Sequence, residues 1–278
     1  MNKGITTFGL LILLFLPFWF FFNHFQYGTP ASVSTPQSLP APAIKIVSGG
    51  HYEAAAQNLY YKTMFYNELR AEEGNLKIDH ETTLKLLDIA TRLDPYNMDC
   101  YYYGQALLAD QTDFVRPLNT ILMRGTKYRT WDHYPPWFLG SNYYYTLHDK
   151  RTAAKYFAEA AKRKPDVPFF TTFAARTLHE ESETEMAVQL LKEMLLQANS
   201  PVIANPIKNR LLAFETVLFL RQALKHYHDR YKKEAATLND LVNDHILKAI
   251  PPDPYGGQFY LDENRAVQTT SHLTMKQK

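Results

Sequence analysis

The sequence predicts an all-α protein in which an N-terminal transmembrane helix precedes a solenoid of helical hairpins, a long capping helix and a small C-terminal β-hairpin. Three observations support this fold: an apolar run near the start, paired segments with apolar residues at helical spacing, and a long amphipathic segment after residue 200. Aromatic residues make up 14% of the 278 residues, which favours a packed core over disorder. The expected segments are 1–23 for the anchor, 24–48 for a Pro/Ser-rich linker, 49–200 for the hairpins, 201–234 for the capping helix and 235–278 for the tail.

The apolar run near the start covers residues 5–22 and would span about 27 Å as a helix, just enough to cross the hydrocarbon core of a bilayer. Lys3 and the amino terminus precede this run, so positive charge favours a short N-terminus inside and the remainder outside. We therefore expect a single-pass protein of the bacterial inner membrane with the bulk of the chain in the periplasm. A cleaved signal peptide is the alternative, although its apolar core is normally shorter and ends at small residues.

The linker contains four prolines and no charged side chain over residues 28–43, which predicts an extended spacer. At about 3 Å per residue it would hold the folded part on the order of 40–50 Å from the membrane. Helical signals begin near His51, and a second helical segment starting at His80 ends at Asp94-Pro95, a typical stop.

Seven residues at fixed spacing define the best helical hairpin, with large aromatic and small residues on one helix and Ala, Phe and Ala on the next. Small residues let two helices approach closely, while aromatic rings fill the space beside the crossing. A looser version follows 34 residues later, over residues 171–194. The pattern resembles a tetratricopeptide repeat in which Ser141 replaces the usual glycine, and the resemblance implies a right-handed α-solenoid. The seven residues are Trp137, Ser141, Tyr144, Ala153, Phe157, Ala160 and Pro165.

Further hairpins match this pattern less well. Residues 97–109 and 115–124 read as one helix pair, in which Pro117 is tolerable only in the first turn of its helix. We expect three to four hairpins between about residues 50 and 200. Residues 207–233 then form a long helix with a wide apolar stripe, typical of a helix that caps the last repeat.

The resemblance implies a concave groove that binds a protein or peptide partner. Asn142 and Arg176 would offer hydrogen-bond donors to a carboxylate or backbone, and aromatic side chains would offer flat apolar contact. The alternative is that Tyr145 and His179 merely face solvent. Three adjacent tyrosines, at 101–103 and again at 143–145, cannot all face the core of a helix, so one in each set must reach a groove or seam. The groove residues are Phe138, Asn142 and Tyr145 on one helix and Thr172, Arg176 and His179 one repeat later.

The tail has a leucine-rich short segment within residues 238–256, followed by a Pro-x-Asp-Pro-aromatic-Gly turn and then a predicted hairpin. This combination resembles the C-terminal part of the major pseudopilins of type 2 secretion systems, and the matching residues are Leu238, Leu241, Val242, Pro252, Asp253, Pro254, Tyr255 and Gly256. The prepilin cleavage signature is missing, which argues against a pilin subunit. The resemblance implies that Asp253, Asp262 and Glu263 could bind calcium, because their carboxylate oxygens suit a hard cation. Alternatively, the Asp-Pro turn has a purely structural role.

Several kinds of chemistry have no support in the sequence. The net charge of +2 gives no general attraction to nucleic acid. The one cysteine, Cys100, is typical of a core residue, and no catalytic, phosphate-binding or metal-binding motif occurs, so we expect no cofactor and no enzyme. The function most favoured is an anchored scaffold for an envelope machine. Docking to a pilus-type complex through the tail is the alternative, and an enzyme of unrecognised type is the third.

Overall fold

The computed structural model describes residues 35–72 and 77–273, which are predominantly helical with one two-stranded sheet. The all-α class is therefore confirmed. Within these ranges no helix is both long and apolar enough to cross a membrane, and the predicted transmembrane segment 5–22 lies outside them. The elements are α1 (Ala41–Val47), α2 (Tyr52–Glu72), α3 (His80–Leu93), α4 (Met98–Leu108), α5 (Thr112–Tyr128), α6 (Tyr134–Ser141), α7 (Lys150–Arg163), α8 (Pro168–Glu180), α9 (Thr184–Gln197), α10 (Pro201–Tyr231), α11 (Asn239–Asn243), β1 (Phe259–Leu261) and β2 (Val267–Thr269).

The helices pack in chain order. Each helix from α2 to α9 contacts the helix that follows it, and α3 with α5 and α8 with α10 also touch across an intervening helix. One apolar cluster joins α1 to α6, and a second joins α6 to α10. Helix α6 therefore lies where the two clusters meet, and Tyr143 in the π-helical turn that extends it (Asn142–Thr146) packs against both.

Side-chain caps mark the starts of four helices, α3, α4, α7 and α10. The Asp79 carboxylate accepts a hydrogen bond from the Thr82 amide at 2.9 Å, and Asp149 accepts one from the Thr152 amide at 2.9 Å. Ser200 caps α10, whose first residue is a proline, as helix geometry favours. The predicted stop at Asp94-Pro95 is confirmed, because α3 ends at the preceding residue.

Two segments differ from the prediction. Helix α5 begins at Thr112 rather than at residue 115, so Pro117 lies in its second turn and its expected place in the first turn was wrong. The predicted linker contains α1, whose Ala41 is 6% exposed and packs into the first apolar cluster. Hydrophobic burial of this residue overrides the spacer-like composition of the segment.

The crossing of α6 and α7 contains the predicted aromatic contacts. The rings of Trp137 and Phe157 lie 4.7 Å apart, and Ala153, Phe157 and Ala160 are fully buried. The small residue at the closest approach is Gly140 rather than Ser141, because a Cβ on Gly140 would lie 2.5 Å from the Phe157 ring. Ser141 instead donates its hydroxyl hydrogen bond to the Trp137 carbonyl at 3.0 Å.

The tail packs on α10, and its predicted hairpin is confirmed. Strands β1 and β2 are antiparallel, with Phe259 opposite Thr269 and Leu261 opposite Val267. Leu241, Phe259 and Val267 form a third apolar cluster with the C-terminal half of α10. The buried Arg210 of α10 donates hydrogen bonds to the Tyr255 hydroxyl at 3.0 Å and to the Leu273 carbonyl at 2.9 Å.

Candidate functional site

A connected set of partly exposed aromatic rings runs across α4, α6 and α8. The rings of Tyr102 and Phe138 lie 5.2 Å apart, and Tyr134 contacts both at 5.2 and 5.9 Å. His133 lies between Tyr134 at 4.1 Å and Phe170 at 4.9 Å, and Phe170 contacts Phe169 at 5.6 Å. We call this set the aromatic surface; its members are Tyr102, His133, Tyr134, Phe138, Phe169 and Phe170.

The aromatic surface is open to solvent, since Tyr102 is 41%, Tyr134 39% and Phe169 54% exposed. Adjacent helix residues point about 100° apart, so burying Tyr101 completely turns Tyr102 away from the core. The same geometry applies in α6, where Trp137 contacts Phe157 and its neighbour Phe138 turns towards Tyr102. The packing of Tyr101 and Trp137 into the core therefore places their neighbours Tyr102 and Phe138 on the surface.

Two titratable groups of the aromatic surface have pKa values shifted towards their neutral forms. Burial, together with the neighbouring Tyr134, raises the pKa of Tyr102 above its ordinary value. Burial also lowers the pKa of His133, and this effect exceeds the opposing influence of Asp132. A partner would therefore meet flat apolar rings with hydroxyl and imidazole edges, a combination common at the centres of protein interfaces.

The three groove residues predicted on α6 and its extension separate in the structure. Phe138 belongs to the aromatic surface, and Tyr145 is 62% exposed with its ring 4.9 Å from that of Tyr144. Asn142 is 1% exposed, so it faces the interior rather than a groove. Its side-chain amide donates to the Asn119 oxygen at 2.8 Å and accepts from the Gln105 amide at 2.8 Å.

The groove residues predicted on α8 are engaged within the chain. The Thr172 hydroxyl donates to the Pro168 carbonyl at 3.0 Å, and Arg176 forms an ion pair with Glu180 at 2.9 Å. His179 stacks on Phe214 at 4.6 Å, and its Nδ1 lies 3.0 Å from the Thr184 hydroxyl. Burial and then the nearby Arg221 lower the pKa of His179 to about 4.

Arg176 and His179 line a cavity of about 120 Å³ that they share with the tail. Tyr260, Gln268 and His272 contribute the opposite wall. The structure therefore brings two of the six predicted groove residues together, but on a cleft between α8, α10 and the hairpin. Sequence spacing on α8 alone could not reveal this wall, because the tail is about 90 residues away along the chain.

The three acidic residues of the tail do not gather around one point. The buried Asp253 accepts hydrogen bonds from the Thr269 hydroxyl and the Tyr255 amide. Asp262 accepts from the Asn264 and Ala266 amides at 2.9 Å each, while Glu263 is exposed. No group of three or more His, Cys, Asp or Glu side chains that could hold a metal ion occurs in the part of the chain that the structure describes.

The tyrosine sets behave as helix geometry requires. Tyr101 is fully buried, Tyr102 is exposed and Tyr103 packs its ring 5.8 Å from that of Tyr60. The sequence predicted that at least one tyrosine in each set lies on a groove or seam, but it did not identify Tyr134 and Phe169. Both lie within the first two residues of their helices, and proline at or next to the start of each helix is the signal that could have located them.

Comparison of the chain with models of known protein families and with curated proteins finds no match to either.

Proposed function

We propose that this protein is a membrane-anchored periplasmic scaffold whose α-solenoid of helical hairpins binds a segment of a partner protein through the aromatic surface. The partner would belong to an envelope machine for secretion, pilus assembly or polysaccharide export. The chain-order packing of α2 to α10 supports the solenoid architecture. The apolar run at residues 5–22 supports the anchor.

The aromatic surface is the observation that supports this function most strongly. A single large aromatic ring exposed on a protein surface is common, whereas a connected group of such rings marks an interaction site. Tyr102, Tyr134 and Phe169 are each between 39% and 54% exposed and are linked by ring contacts. Aromatic side chains that a partner fully covers contribute roughly 1–2 kcal/mol each to binding, and a few such anchors dominate most interfaces.

The anchor adds to this affinity. A chain held to the membrane meets membrane-associated partners at a high effective concentration, so a surface of moderate affinity suffices for stable assembly. Because the aromatic surface contains no carboxylate, lysine or arginine side chain, we expect its contribution to binding to change little with salt.

Site-specific photo-crosslinking in cells tests the proposal. A benzophenone amino acid at Tyr134 of the full-length protein would capture the partner, and Tyr102→Ser/Phe169→Ser would reduce the adduct by roughly tenfold or more. The matched control is Tyr61→Ser/Phe219→Ser, which removes two aromatic residues of similar exposure on α2 and α10. Equal adduct yields from the two double variants would contradict the proposal.

The alternative function, docking through the tail, makes a different prediction. Tyr260 is 40% exposed on β1, so Tyr260→Ser would reduce partner capture while Tyr102→Ser/Phe169→Ser would not. Deleting residues 235–278 is a poor test, because it would uncover the apolar half of α10 and remove both acceptors of Arg210. Point substitutions on the exposed surface separate the two functions without that damage.

A further inference from the structure

A second aromatic cluster lies at the C-terminal ends of α3 and α5 and is mixed with cations. The rings of Tyr96 and Trp131 stack at 6.0 Å with an interplanar angle of 8°, and Tyr128 contacts Tyr96 edge-on at 6.1 Å. The three rings are 51%, 63% and 42% exposed. The Arg129 guanidinium lies 5.4 Å from the Trp131 ring, and Lys127 lies 5.5 Å from the Tyr128 ring.

A cavity of about 390 Å³ adjoins these rings. Tyr128 lines it, together with Lys45 at the end of α1, Arg92 of α3 and Arg124 of α5. Asp88 pairs with both arginines at 2.8 Å. Lys45 and Lys127 form no ion pair within the described ranges, so their charges are free to act on a ligand. We call these rings and the cations beside them the basic–aromatic face; its members are Lys45, Arg92, Tyr96, Arg124, Lys127, Tyr128, Arg129 and Trp131.

We propose that the basic–aromatic face rests on the surface of a bilayer and that its cavity accepts the phosphate of an anionic phospholipid headgroup. Trp and Tyr favour the membrane–water boundary, and Lys and Arg near that boundary are attracted to anionic lipids. The face carries five cations against three neighbouring carboxylates. Asp88 pairs with Arg92 and Arg124, Asp132 pairs with Arg129, and Asp94 accepts a hydrogen bond from the Tyr96 amide, so the cations exceed the carboxylates by two. Charge complementarity therefore favours a negatively charged surface over a neutral one.

The position of the face along the chain supports the same occupant. Helix α1 begins at Ala41, 19 residues after the apolar run ends at residue 22, so α1 lies within roughly 65 Å of the bilayer. Lys45 of α1 lines the cavity, so the chain enters the described structure beside this face. The inference rests on the anchoring proposed above and does not use the aromatic surface.

Contact quenching of Trp131 fluorescence tests the face in the full-length protein. Trp19→Phe/Trp137→Phe leaves Trp131 as the one tryptophan, and the protein is placed in nanodiscs of brominated phosphatidylglycerol or brominated phosphatidylcholine. We expect quenching by roughly half in the anionic discs and little in the neutral discs, and recovery at about 1 M salt, where screening acts within ~3 Å. Co-elution of protein and discs reports the anchoring separately. If the chain does not enter discs, vesicles of the same lipids are added to it and Trp131 is measured in the same way.

Charge reversal provides the decisive comparison. Lys45→Glu/Lys127→Glu should abolish the difference between the two lipids, whereas Lys208→Glu/Lys225→Glu, the same charge change at exposed positions on α10, should preserve it. Equal quenching of Trp131 by both lipids would overturn the proposal. So would an equal loss of the difference between the two lipids in both charge variants. Protection of Trp131 from aqueous quenchers in neutral discs would indicate a second copy or a protein partner on this face and would also overturn it.

A second measurement applies if Trp137→Phe perturbs the core, as a changed helical circular dichroism spectrum would show. Hydrogen exchange of residues 123–134 in the otherwise unchanged full-length protein should then be slower in anionic than in neutral discs. Identical exchange in the two kinds of disc would overturn the proposal as well.

Discussion

Helix α6 and its π-helical extension meet the helices before them through a buried polar group beside the apolar Leu139, and meet the helix after them through aromatic rings and a bare backbone. Towards α4 and α5, the π-helical turn buries Asn142 against Gln105 and Asn119. Towards α7, Gly140 lets the Phe157 ring touch the α6 backbone. Apolar packing supplies most of the stability of such contacts, whereas buried amides must pair with each other in one geometry. We infer that the α7 side mainly stabilises α6 and the α4/α5 side mainly fixes its position.

Removing the Phe157 ring should have the largest effect. Phe157→Ala deletes a fully buried side chain that Trp137, Tyr144 and Phe173 all contact, so we expect a loss of about 3–5 kcal/mol in the free energy of unfolding. Chemical denaturation measures it, with Lys155→Ala on the exposed side of α7 as the control. A loss below about 1 kcal/mol would show that apolar packing is not what holds this side of α6.

Acid should weaken a polar junction further along the chain. The His179 pKa is about 4 in the folded protein, below the ordinary value near 6.5, mainly because of burial and then Arg221. Between these values the unfolded chain binds a proton that the folded chain does not, so stability is complete above pH 6.5. It falls by up to about 3 kcal/mol as the pH drops towards 4.

Denaturation at several pH values checks this expectation. His179→Gln should flatten the part of the profile between pH 6.5 and 4, while His226→Gln, an exposed histidine on α10, should leave it as it is. A profile unaffected by His179→Gln would show that other groups, such as carboxylates, carry the acid sensitivity.

A double comparison tests the polar side of α6. Asn142→Leu leaves the partly buried Gln105 amide and the buried Asn119 amide without their partner, at a cost of about 1–3 kcal/mol. Replacing all three residues by Leu should regain most of that loss, because no unpaired amide then remains. If the triple variant is as stable as wild type but its α6 exchanges hydrogen faster, the positioning role of the amides is supported. A triple variant no better than Asn142→Leu would contradict it.

The smallest expected effect concerns the backbone contact. In Gly140→Ala the new Cβ would lie only 2.5 Å from the Phe157 ring and would push the ring away. We expect this to lower the free energy of unfolding by about 1–3 kcal/mol, partly offset by the higher helix propensity of Ala. Phe157→Leu in the same chain should reduce the penalty. Ser141→Ala serves as the control one residue away, and equal penalties at the two positions would contradict the assignment of Gly140 to the close approach.

Patterns that depend on nearby residues could be predicted from the sequence. The Asp94-Pro95 stop and the contact of Trp137 with Phe157 both follow from spacing over a few turns or one hairpin. Gly140 was missed because Ser141, also small, occupies the repeat position at which the pattern expects glycine. In α5, Pro117 suggested a later helix start, but packing of the fully buried Val115 and Leu118 outweighs the missing amide.

The polar contacts could not be predicted, because they join residues far apart in sequence. Asn142 bonds residues 23 and 37 positions earlier, and an amide side chain carries no periodic signal of its partners. The same holds for the cavity beside Arg176 and His179, whose second wall comes from the tail. Of the aromatic surface, Phe138 was predicted directly and the tyrosine sets indicated that one member would be exposed. The remaining rings required the packing of three helices to be known.

The Arg210 side chain joins α10 to two segments much further along the chain. Both of its acceptors, the Tyr255 hydroxyl and the Leu273 carbonyl, lie 45 and 63 residues downstream, and its Nη1 has no hydrogen-bond partner among the described residues. During synthesis, this guanidinium gains its first acceptor only when residue 255 has emerged and its second only when residue 273 has emerged. A product truncated by a premature stop would therefore keep α10 loosely held and open to proteases.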